Sequence, residues 1–343
     1  MRLDDPSLDT CEPADRDAAL VDAVRRQIAF MRETVPFWTE RLEAVSIDES
    51  QLGELSDLGR FPLLEKAELR GLPPGELLPA SSSGQVEVCR WTSGTTGRST
   101  VSMWTKTDWA GLVVSAARML RPQSPMQAPT VFNGYGQGHL TGPMYHAALQ
   151  RLGGTVYDRS HHPEEQFSTA EQMSLFEFDT LVLPEQTLRG KGVGLAELLA
   201  GNPDLLKQFA VRWWVGSSGG FTEDTVSRAK GQGVESVSNL YGSSEFGVFA
   251  ISCPDHPGDY HVAQGYVLVE VVDDLGVRVE SGQSGRLVVT RLSGADSTGQ
   301  SEVHRGSQLF RLANGDGATL VDDPCSCGLT TVRLRNVHRL TGA

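Results

Sequence analysis

The amino-acid sequence predicts a layered α/β fold with a β-rich distal region, on three observations. From Val86 to Ala250, short apolar runs typical of strands alternate with segments of helical periodicity. Before Val86 the apolar spacing is helical, and beyond Ala250 short strand-like segments are separated by Gly and Asp turns. We therefore expect a helical lead-in over residues 1–85, an α/β region over 86–250 and a β-rich region over 251–343.

Each region has its own expected elements. Amphipathic helices are expected over 17–46, interrupted at Pro36, and short helical segments over 55–72. In the α/β region, helices are expected over 144–152 and 222–230, and strands over 86–91, 101–105, 130–132, 154–157, 180–183 and 211–215. The strands expected beyond it cover 266–272, 285–290, 318–321 and 331–334.

Composition limits the classes of protein. The 343 residues, of which 39% are hydrophobic, can bury a large core as one domain or two. A formal charge of −13 argues against a broad basic surface for nucleic acid or anionic lipid. The sequence contains no apolar run that could span a bilayer, and its acidic, polar start is unlike a signal peptide. We therefore expect a cytoplasmic protein without nucleic-acid or membrane partners.

The run from Trp91 to Thr100 concentrates groups that bind phosphate. Its hydroxyl side chains offer donors, its two glycines allow successive backbone N–H groups to face one point, and Arg98 adds a positive charge. The run is not a Walker A loop, because it has neither the lysine nor the glycine spacing of that motif. By composition alone it is equally consistent with a polar surface loop.

Two later segments could complete a nucleotide site. In the run from Asn239 to Gly247, Tyr241 could stack on a purine, Ser243 and Ser244 could meet phosphate oxygens, and Glu245 could bind Mg²⁺. The alternative for this run is a turn with a capping glutamate. Asp316 could accept hydrogen bonds from ribose hydroxyls, although Asn314-Gly315-Asp316-Gly317 is also typical of a hairpin turn.

Taken together, these motifs resemble the adenylate-forming superfamily, most closely its phenylacetate–CoA ligase branch. The similarity is carried by Thr92 to Gly97, by Tyr241 to Glu245, and by Arg311 with Asp316. It extends over Val35 to Trp38, Phe61 to Leu63 and Asn133 to Gly136. Thr100 stands where other adenylate-forming enzymes carry a lysine after the phosphate loop, and that lysine is often absent from this branch.

The resemblance implies an ATP- and Mg²⁺-dependent ligase. A carboxylic acid would be activated to an acyl-adenylate with release of pyrophosphate, and then transferred to CoA, a carrier-protein thiol or an amine. A homodimer is left open. The implied catalytic residues are Thr95, Glu245 and Arg311, and the implied substrate pocket contains Tyr135, Gly136, His139 and Gly219. The implied residues for ATP and AMP are Thr92, Ser93, Gly94, Thr95, Thr96, Gly97, Arg98, Gly216, Ser217, Asn239, Tyr241, Gly242, Ser243, Ser244 and Asp316.

Cysteines and histidines in the β-rich region form a candidate metal centre. Cys253, Cys325 and Cys327 together with His256 or His261 are compatible with tetrahedral zinc. The resemblance supports zinc, because members of this branch can carry a structural zinc in this part of the fold. We favour His261 over His256, since it follows the Gly258 turn and begins a strand. Cys11 and Cys89 are interpreted as ordinary thiols, because five cysteines do not indicate a disulfide framework.

The superfamily normally continues into a small C-terminal domain that carries a catalytic lysine. Arg339 to Gly342 is similar to the approach to the hinge before that domain, and the sequence stops at Ala343. We therefore expect the lysine-bearing domain to be absent from this chain, either naturally or by truncation. This expectation leaves a non-catalytic or partner-dependent nucleotide-binding module as an alternative.

A serine hydrolase is the rival from another class. Gly216 to Gly220 satisfies G-x-S-x-G between an expected strand and an expected helix, which would make Ser218 the nucleophile. No histidine and acid stand out as its partners. Two further features have ordinary interpretations, His161-His162 as part of a solvated loop and Trp213-Trp214 as core.

Overall fold

The computed structural model describes residues 1–91, 99–135, 140–160, 168–187, 193–217 and 219–340. The α-helices in these ranges are α1 (Pro13–Thr34), α2 (Pro36–Ala44), α3 (Lys66–Gly71), α4 (Lys106–Leu120), α5 (Thr141–Arg151), α6 (Thr169–Met173), α7 (Leu195–Gly201), α8 (Leu205–Gln208) and α9 (Glu223–Gly231). The strands are β1 (Leu64–Glu65), β2 (Val86–Trp91), β3 (Val101–Thr105), β4 (Thr130–Asn133), β5 (Thr155–Asp158), β6 (Thr180–Val182), β7 (Trp213–Ser217), β8 (Ser236–Ser243), β9 (Gly247–Ser252), β10 (Tyr260–Val262), β11 (Val267–Val272), β12 (Ser284–Arg291), β13 (Ser293–Ala295), β14 (Ser301–Val303), β15 (Leu312–Val321) and β16 (Arg333–Arg339).

A mixed sheet of twelve strands forms the centre of the molecule. Its order is β11-β12-β15-β16-β10-β9-β8-β7-β6-β4-β5, with β1 added in parallel to β15. Neighbouring strands are parallel at one end of this order, which contains β8, β7, β6, β4 and β5. They are antiparallel at the other end, which contains β9, β10, β16, β15, β12 and β11. The antiparallel pairing of β8 with β9 joins the two parts. The expected α/β and β-rich regions therefore share one continuous sheet.

The lead-in helices pack on the distal part of the sheet. Trp38 is fully buried, and its indole N–H donates to the backbone oxygen of Gln308 at 2.9 Å. Pro36 begins α2 at its first turn, where the missing N–H of proline leaves no helical hydrogen bond unmade. The proline that interrupts the apolar pattern is thus the start of a second helix.

The layered α/β class predicted from the sequence is confirmed. β2 and β3 pair antiparallel with Trp91 opposite Val101, so the segment between them joins two strands, as expected. The hairpin turn expected as the alternative at Asn314 to Gly317 is wrong, because these residues lie inside β15. None of the helices in the described ranges combines the length and the apolarity that a bilayer crossing needs.

Candidate active site

Tyr241 on β8 and Asp316 on β15 meet at the centre of the candidate site. The Tyr241 hydroxyl donates to Asp316 Oδ2 at 2.6 Å, and Arg339 donates to Asp316 Oδ1 at 2.9 Å. Burial and the Asp316 carboxylate raise the pKa of Tyr241 well above its usual range, so that the phenol stays protonated. Gly315, with φ of +88°, provides the left-handed conformation that precedes Asp316 in the strand.

Glu245 lies in the turn between β8 and β9, and its side chain is 1% exposed. Thr100 Oγ1 donates to Glu245 Oε1 at 2.9 Å, and Lys66 Nζ lies 3.3 Å from the same oxygen. Burial opposes ionisation of Glu245, but the Lys66 ammonium and the hydroxyls of Ser243 and Thr100 outweigh it and lower the pKa of the carboxyl. The carboxylate is therefore charged and held beside the end of the phosphate-loop segment.

Lys66 was not predicted from the sequence. It lies in α3, far from the glycine-rich motifs along the chain, and its ammonium also donates to the backbone oxygen of Asn314 at 2.9 Å. β1 pairs in parallel with β15, with Leu64 opposite Leu312, and this pairing brings the start of α3 to the site. A lysine in an amphipathic lead-in helix gives no local signal of such a contact.

Asn239 brings an amide to the end of the parallel part of the sheet. Its Nδ2 donates to the Tyr260 hydroxyl at 2.9 Å and to the Gly219 backbone oxygen at 3.2 Å. Its Oδ1 is buried and accepts no hydrogen bond within the described residues. A buried amide oxygen without a donor is costly unless a ligand supplies one.

Gly216 and Ser217 end β7 beside β8, in register with Asn239 and Leu240. A Cβ at Gly216 would lie 2.3 Å from the Leu183 backbone oxygen, so this close approach requires glycine. The Tyr135 hydroxyl donates to the Ser217 oxygen at 2.7 Å and accepts from the Ser217 N–H at 2.8 Å. The expected pocket residue Tyr135 therefore lies directly against the end of β7.

The structure does not bring Arg311 to this cluster. Its guanidinium forms a buried bidentate pair with Glu270, at 2.9 Å for each contact, and donates to the backbone oxygens of Phe61 and Gly276. Arg311 is 1% exposed and directs its guanidinium at Glu270 rather than at Asp316, so its expected catalytic role stays a prediction. The phosphate-loop residues 92–98, the pocket residues Gly136 and His139, and Ser218 lie outside the described residues, as do His161 and His162.

A pocket of about 270 Å³ adjoins Asp316. Three cationic side chains, those of Lys66, Arg70 and Arg286, line it together with Glu65 and Leu340. Glu65 is already paired with Arg286 at 2.5 Å, and Asp316 with Arg339 at 2.9 Å. Three cationic side chains against two acidic ones give the lining a net positive charge, which favours an anionic part of a ligand.

The cysteines and one histidine expected to bind metal converge on one point. The ligand atoms of Cys253, His261, Cys325 and Cys327 all lie within 4.8 Å of one another. Cys253 Sγ is 3.5 Å from Cys325 Sγ, and Cys327 Sγ is 3.3 Å from His261 Nε2. Tetrahedral zinc with Zn–S bonds of about 2.3 Å separates its ligands by a little under 4 Å, so the spacing fits zinc.

The surroundings of His261 favour it as a metal ligand over His256. Its Nδ1 lies 3.1 Å from Thr331 Oγ1 and 3.2 Å from the Thr331 backbone oxygen, which leaves Nε2 directed at Cys327. Burial lowers the pKa of His261 to about 4, so the imidazole is neutral, as a ligand must be. His256 is instead directed at Ser326, at 3.2 Å. Cys11 and Cys89 are free cysteines.

Comparisons with known proteins agree with this geometry, although no family model matches the chain. A phenylacetate–coenzyme A ligase of Thermus thermophilus is 29% identical over 96% of this chain and 71% of its own length. The Pseudomonas putida enzyme of the same name is 28% identical over 83% of this chain and 65% of its own length. That of Escherichia coli is 35% identical over 37% of this chain and 29% of its own length.

Solved structures share the fold. The 2-hydroxyisobutyryl-CoA ligase in complex with 2-HIB-AMP superposes with a TM-score of 0.80 over 98% of this chain and 70% of its own, at 19% identity. Its complex with 2-HIB-AMP and CoA gives a TM-score of 0.81 at 20% identity, over 98% of this chain and 71% of its own. Fold and site thus define an adenylate-forming ligase. In sequence the chain is similar to phenylacetate–CoA ligases over most of its length.

Proposed function

We propose that this protein activates a carboxylic acid with ATP, forming an acyl-adenylate and pyrophosphate, and then transfers the acyl group to CoA. The observation that carries this proposal is that two distant motifs meet: Asp316 hydrogen-bonds to Tyr241, which belongs to the run that also holds Asn239 and Glu245, and Lys66 contacts both segments. The similarity to phenylacetate–CoA ligases over nearly the whole chain supports the same reaction class.

The nucleotide would be bound by polar groups that can still accept a hydrogen bond within the described part of the chain. The exocyclic amine of adenine donates to the free Asn239 Oδ1, and the Tyr241 ring packs against the base. Asp316 accepts from the ribose hydroxyls at the remaining lone pairs of its two oxygens, beside the contacts with Tyr241 and Arg339. Gly216 allows the end of β7 to pack closely against Leu183, beside Asn239 and the proposed position of the base.

At the phosphates, Glu245 and Thr100 offer hard oxygen ligands that fit Mg²⁺. Mg²⁺ bound there would neutralise part of the charge on the triphosphate. Lys66 contributes a second, fixed positive charge, and the backbone N–H groups and hydroxyls over 92–98 remain the expected donors to the β- and γ-phosphates. The acid would be held in line with the α-phosphate by a pocket that begins at Tyr135 and Gly219.

The acceptor is proposed from the relatives and from charge. The relatives are named as coenzyme A ligases, and the cationic pocket beside Asp316 suits the phosphates of CoA. A carrier-protein thiol and an amine are the alternatives to CoA. Product analysis with each acceptor, supplied after acyl-adenylate has formed, distinguishes the three.

Carboxylate-dependent exchange of pyrophosphate into ATP tests the proposal directly, using a panel of aryl and alkyl acids. We expect exchange with at least one acid and its loss, by about 100-fold or more, in Glu245→Gln. Glu270→Gln is the matched control, because Glu270 is equally buried but pairs with Arg311 outside the site. Wild-type exchange in Glu245→Gln would refute the site, and ATP binding without exchange for any acid would favour a nucleotide-binding module.

We also propose a structural zinc ion bound by Cys253, His261, Cys325 and Cys327. Four protein ligands would leave no open coordination position, which is typical of a structural site. Elemental analysis should find about one zinc per chain. Metal-free, folded protein with normal stability would contradict this proposal without affecting the proposed reaction.

A further inference from the structure

The Arg291 side chain at the end of β12 is buried directly behind Glu245. The residue is 2% exposed, and its guanidinium forms no ion pair with a carboxylate in the described part of the chain. Burial lowers its pKa to about 10, so the group is still charged near neutral pH. A buried charge without a direct counter-ion is costly and needs an explanation from its contacts.

Those contacts hold the backbone of Glu245. One Nη of Arg291 donates to the Glu245 backbone oxygen, and Ser102 Oγ donates to the same oxygen at 3.3 Å. Glu245 lies in the turn between Ser243 and Gly247, outside the hydrogen-bonded ladder of β8 and β9. Its backbone oxygen is therefore fixed by side chains, and Arg291 is the charged one of the two.

The Arg291 guanidinium is itself fixed on two sides. Its plane lies over the Trp104 ring, 4.3 Å from the centroid, and its other Nη lies 2.9 Å from His304 Nε2. Burial lowers the pKa of His304 to about 3, so the imidazole is neutral and accepts from the guanidinium. His304 Nδ1 lies 3.1 Å from Asp108 Oδ1, and Asp108 is fully buried. The Asp108 carboxylate thus lies behind His304, and its negative charge favours the charged form of Arg291.

We propose that Arg291 is a positioning residue for the binding of Mg²⁺ with nucleotide. It acts through the Glu245 backbone, and His304 and Asp108 lie on the other side of its guanidinium. By fixing the Glu245 backbone oxygen, Arg291 keeps the carboxylate where Thr100 and Lys66 contact it. The inference rests on the proposed role of Glu245 in binding Mg²⁺. Removal of Arg291 should therefore affect ligands that need Mg²⁺ more than those that do not.

Titration calorimetry of ATP with and without Mg²⁺ tests this on Arg291→Met, Arg291→Lys and wild type. We expect Arg291→Met to weaken Mg²⁺-dependent ATP binding by about tenfold or more, and AMP binding without Mg²⁺ by less than about threefold. Arg291→Lys should recover part of the loss, because an ammonium can still donate to one oxygen. Amide hydrogen exchange over 243–247 should accelerate in Arg291→Met.

Arg118→Met is the control for loss of a buried arginine. Arg118 pairs with Asp9 at 3.1 Å and donates to the backbone oxygens of Leu3 and Gln264, away from the site. Equal losses for ATP with Mg²⁺ and for AMP without it, or unchanged binding in folded Arg291→Met, would overturn the proposal. If Arg291→Met does not fold, Ser102→Ala and His304→Phe provide the test, because each removes one support of the same arrangement. Glu245→Gln measured in parallel separates the two claims, since Mg²⁺-dependent binding that survives in that variant refutes the metal site itself.

Discussion

Lys66 brings a positive charge to the end of the phosphate-loop segment, because Lys66 and Thr100 contact the same oxygen of Glu245. Its ammonium lies 3.3 Å from Glu245 Oε1 and 2.9 Å from the Asn314 backbone oxygen, so it connects the two halves of the site. Lys66→Met removes this charge and leaves Glu245 buried without its ion-pair partner. We expect the rate of pyrophosphate exchange to fall by about 100-fold, with partial recovery in Lys66→Arg.

Exchange assays on folded Lys66→Met check this expectation. Lys230→Met, a change at an exposed lysine of α9, is the control for loss of one positive charge. Equal rates in the two variants would show that Lys66 serves packing alone.

Tyr241 contributes a hydrogen bond to the carboxylate that would bind ribose. Tyr241→Phe keeps the ring but deletes the 2.6 Å contact with Asp316. We expect the KM for ATP to rise about fivefold, which corresponds to about 1 kcal/mol for one hydrogen bond. The kcat should be nearly unchanged, because the contact is the same in the ground state and the transition state. Steady-state kinetics check this, with Tyr157→Phe as the control. A fall in kcat at constant KM would contradict it.

Residues that act through long-range contacts could not be predicted from the sequence. Glu245, Asn239 and Asp316 stand in motifs whose residue types are themselves the signal, so they could be named in advance. Lys66 and Arg291 reach Glu245 from α3 and β12, and no local spacing indicates these contacts. The pairing of Arg311 with Glu270 could not be predicted either, because the place of Arg311 beside the ribose motif in the sequence says nothing of that contact.

At the scale of elements, the cysteine cluster joins the end of β9, β10 and the loop before β16. β16 in turn pairs with β15, with Arg339 opposite Asp316. If the cluster binds the proposed zinc, removal of the metal should loosen the strand that leads to Asp316. We expect a strong chelator, or Cys325→Ser, to cost about 3 kcal/mol, equivalent to about 4 °C in Tm at this chain length.

Differential scanning calorimetry with metal analysis checks the zinc prediction. Cys11→Ser is the matched control, because Cys11 is a free thiol outside the cluster. Loss of metal without a change in Tm would mean that the ion is not structural.

The buried His304 behind β12 should make the stability of the protein depend on pH. Because burial lowers its pKa to about 3, well below its usual range, the unfolded chain binds a proton that the folded chain excludes as the pH falls below about 6.5. Stability should consequently fall with decreasing pH down to about 3, by up to about 1.4 kcal/mol per pH unit from this group. Denaturant titrations from pH 7 to pH 4 should show a shallower slope in His304→Gln. An identical slope would contradict the prediction.

Element types were predictable from the sequence because strands and helices here follow their local patterns closely. β2, β4 and β12 match the expected segments within two residues at each end. β15 was expected only over 318–321, but begins at Leu312, because Asn314 to Gly317 carry the composition of a turn. Pairing with β1, β12 and β16 holds that segment extended, and such pairing is not encoded in its own residues.

At the scale of the molecule, the sheet must curve strongly to form the site. β8 and β15 are separated by three strands in the sheet order, which in a flat sheet places them about 19 Å apart. Tyr241 and Asp316 nevertheless hydrogen-bond directly. The antiparallel part therefore folds back over the end of β8, and the site lies in the concavity. Local sequence patterns predict the strands but not this curvature.

One continuous sheet also predicts how the molecule unfolds. The expected boundary at Ala250 falls within β9, which pairs with β8 on one side and β10 on the other. The regions 86–250 and 251–343 should consequently unfold in a single transition, although their compositions differ. ATP with Mg²⁺ at 100 times its Kd should raise the whole transition by about 4 °C, the equivalent of about 2.7 kcal/mol for a chain of this size. Calorimetry checks both points, with Glu245→Gln as the control for the effect of ATP and Mg²⁺. Two transitions, or a ligand shift confined to one of them, would mean that the two parts of the sheet unfold independently.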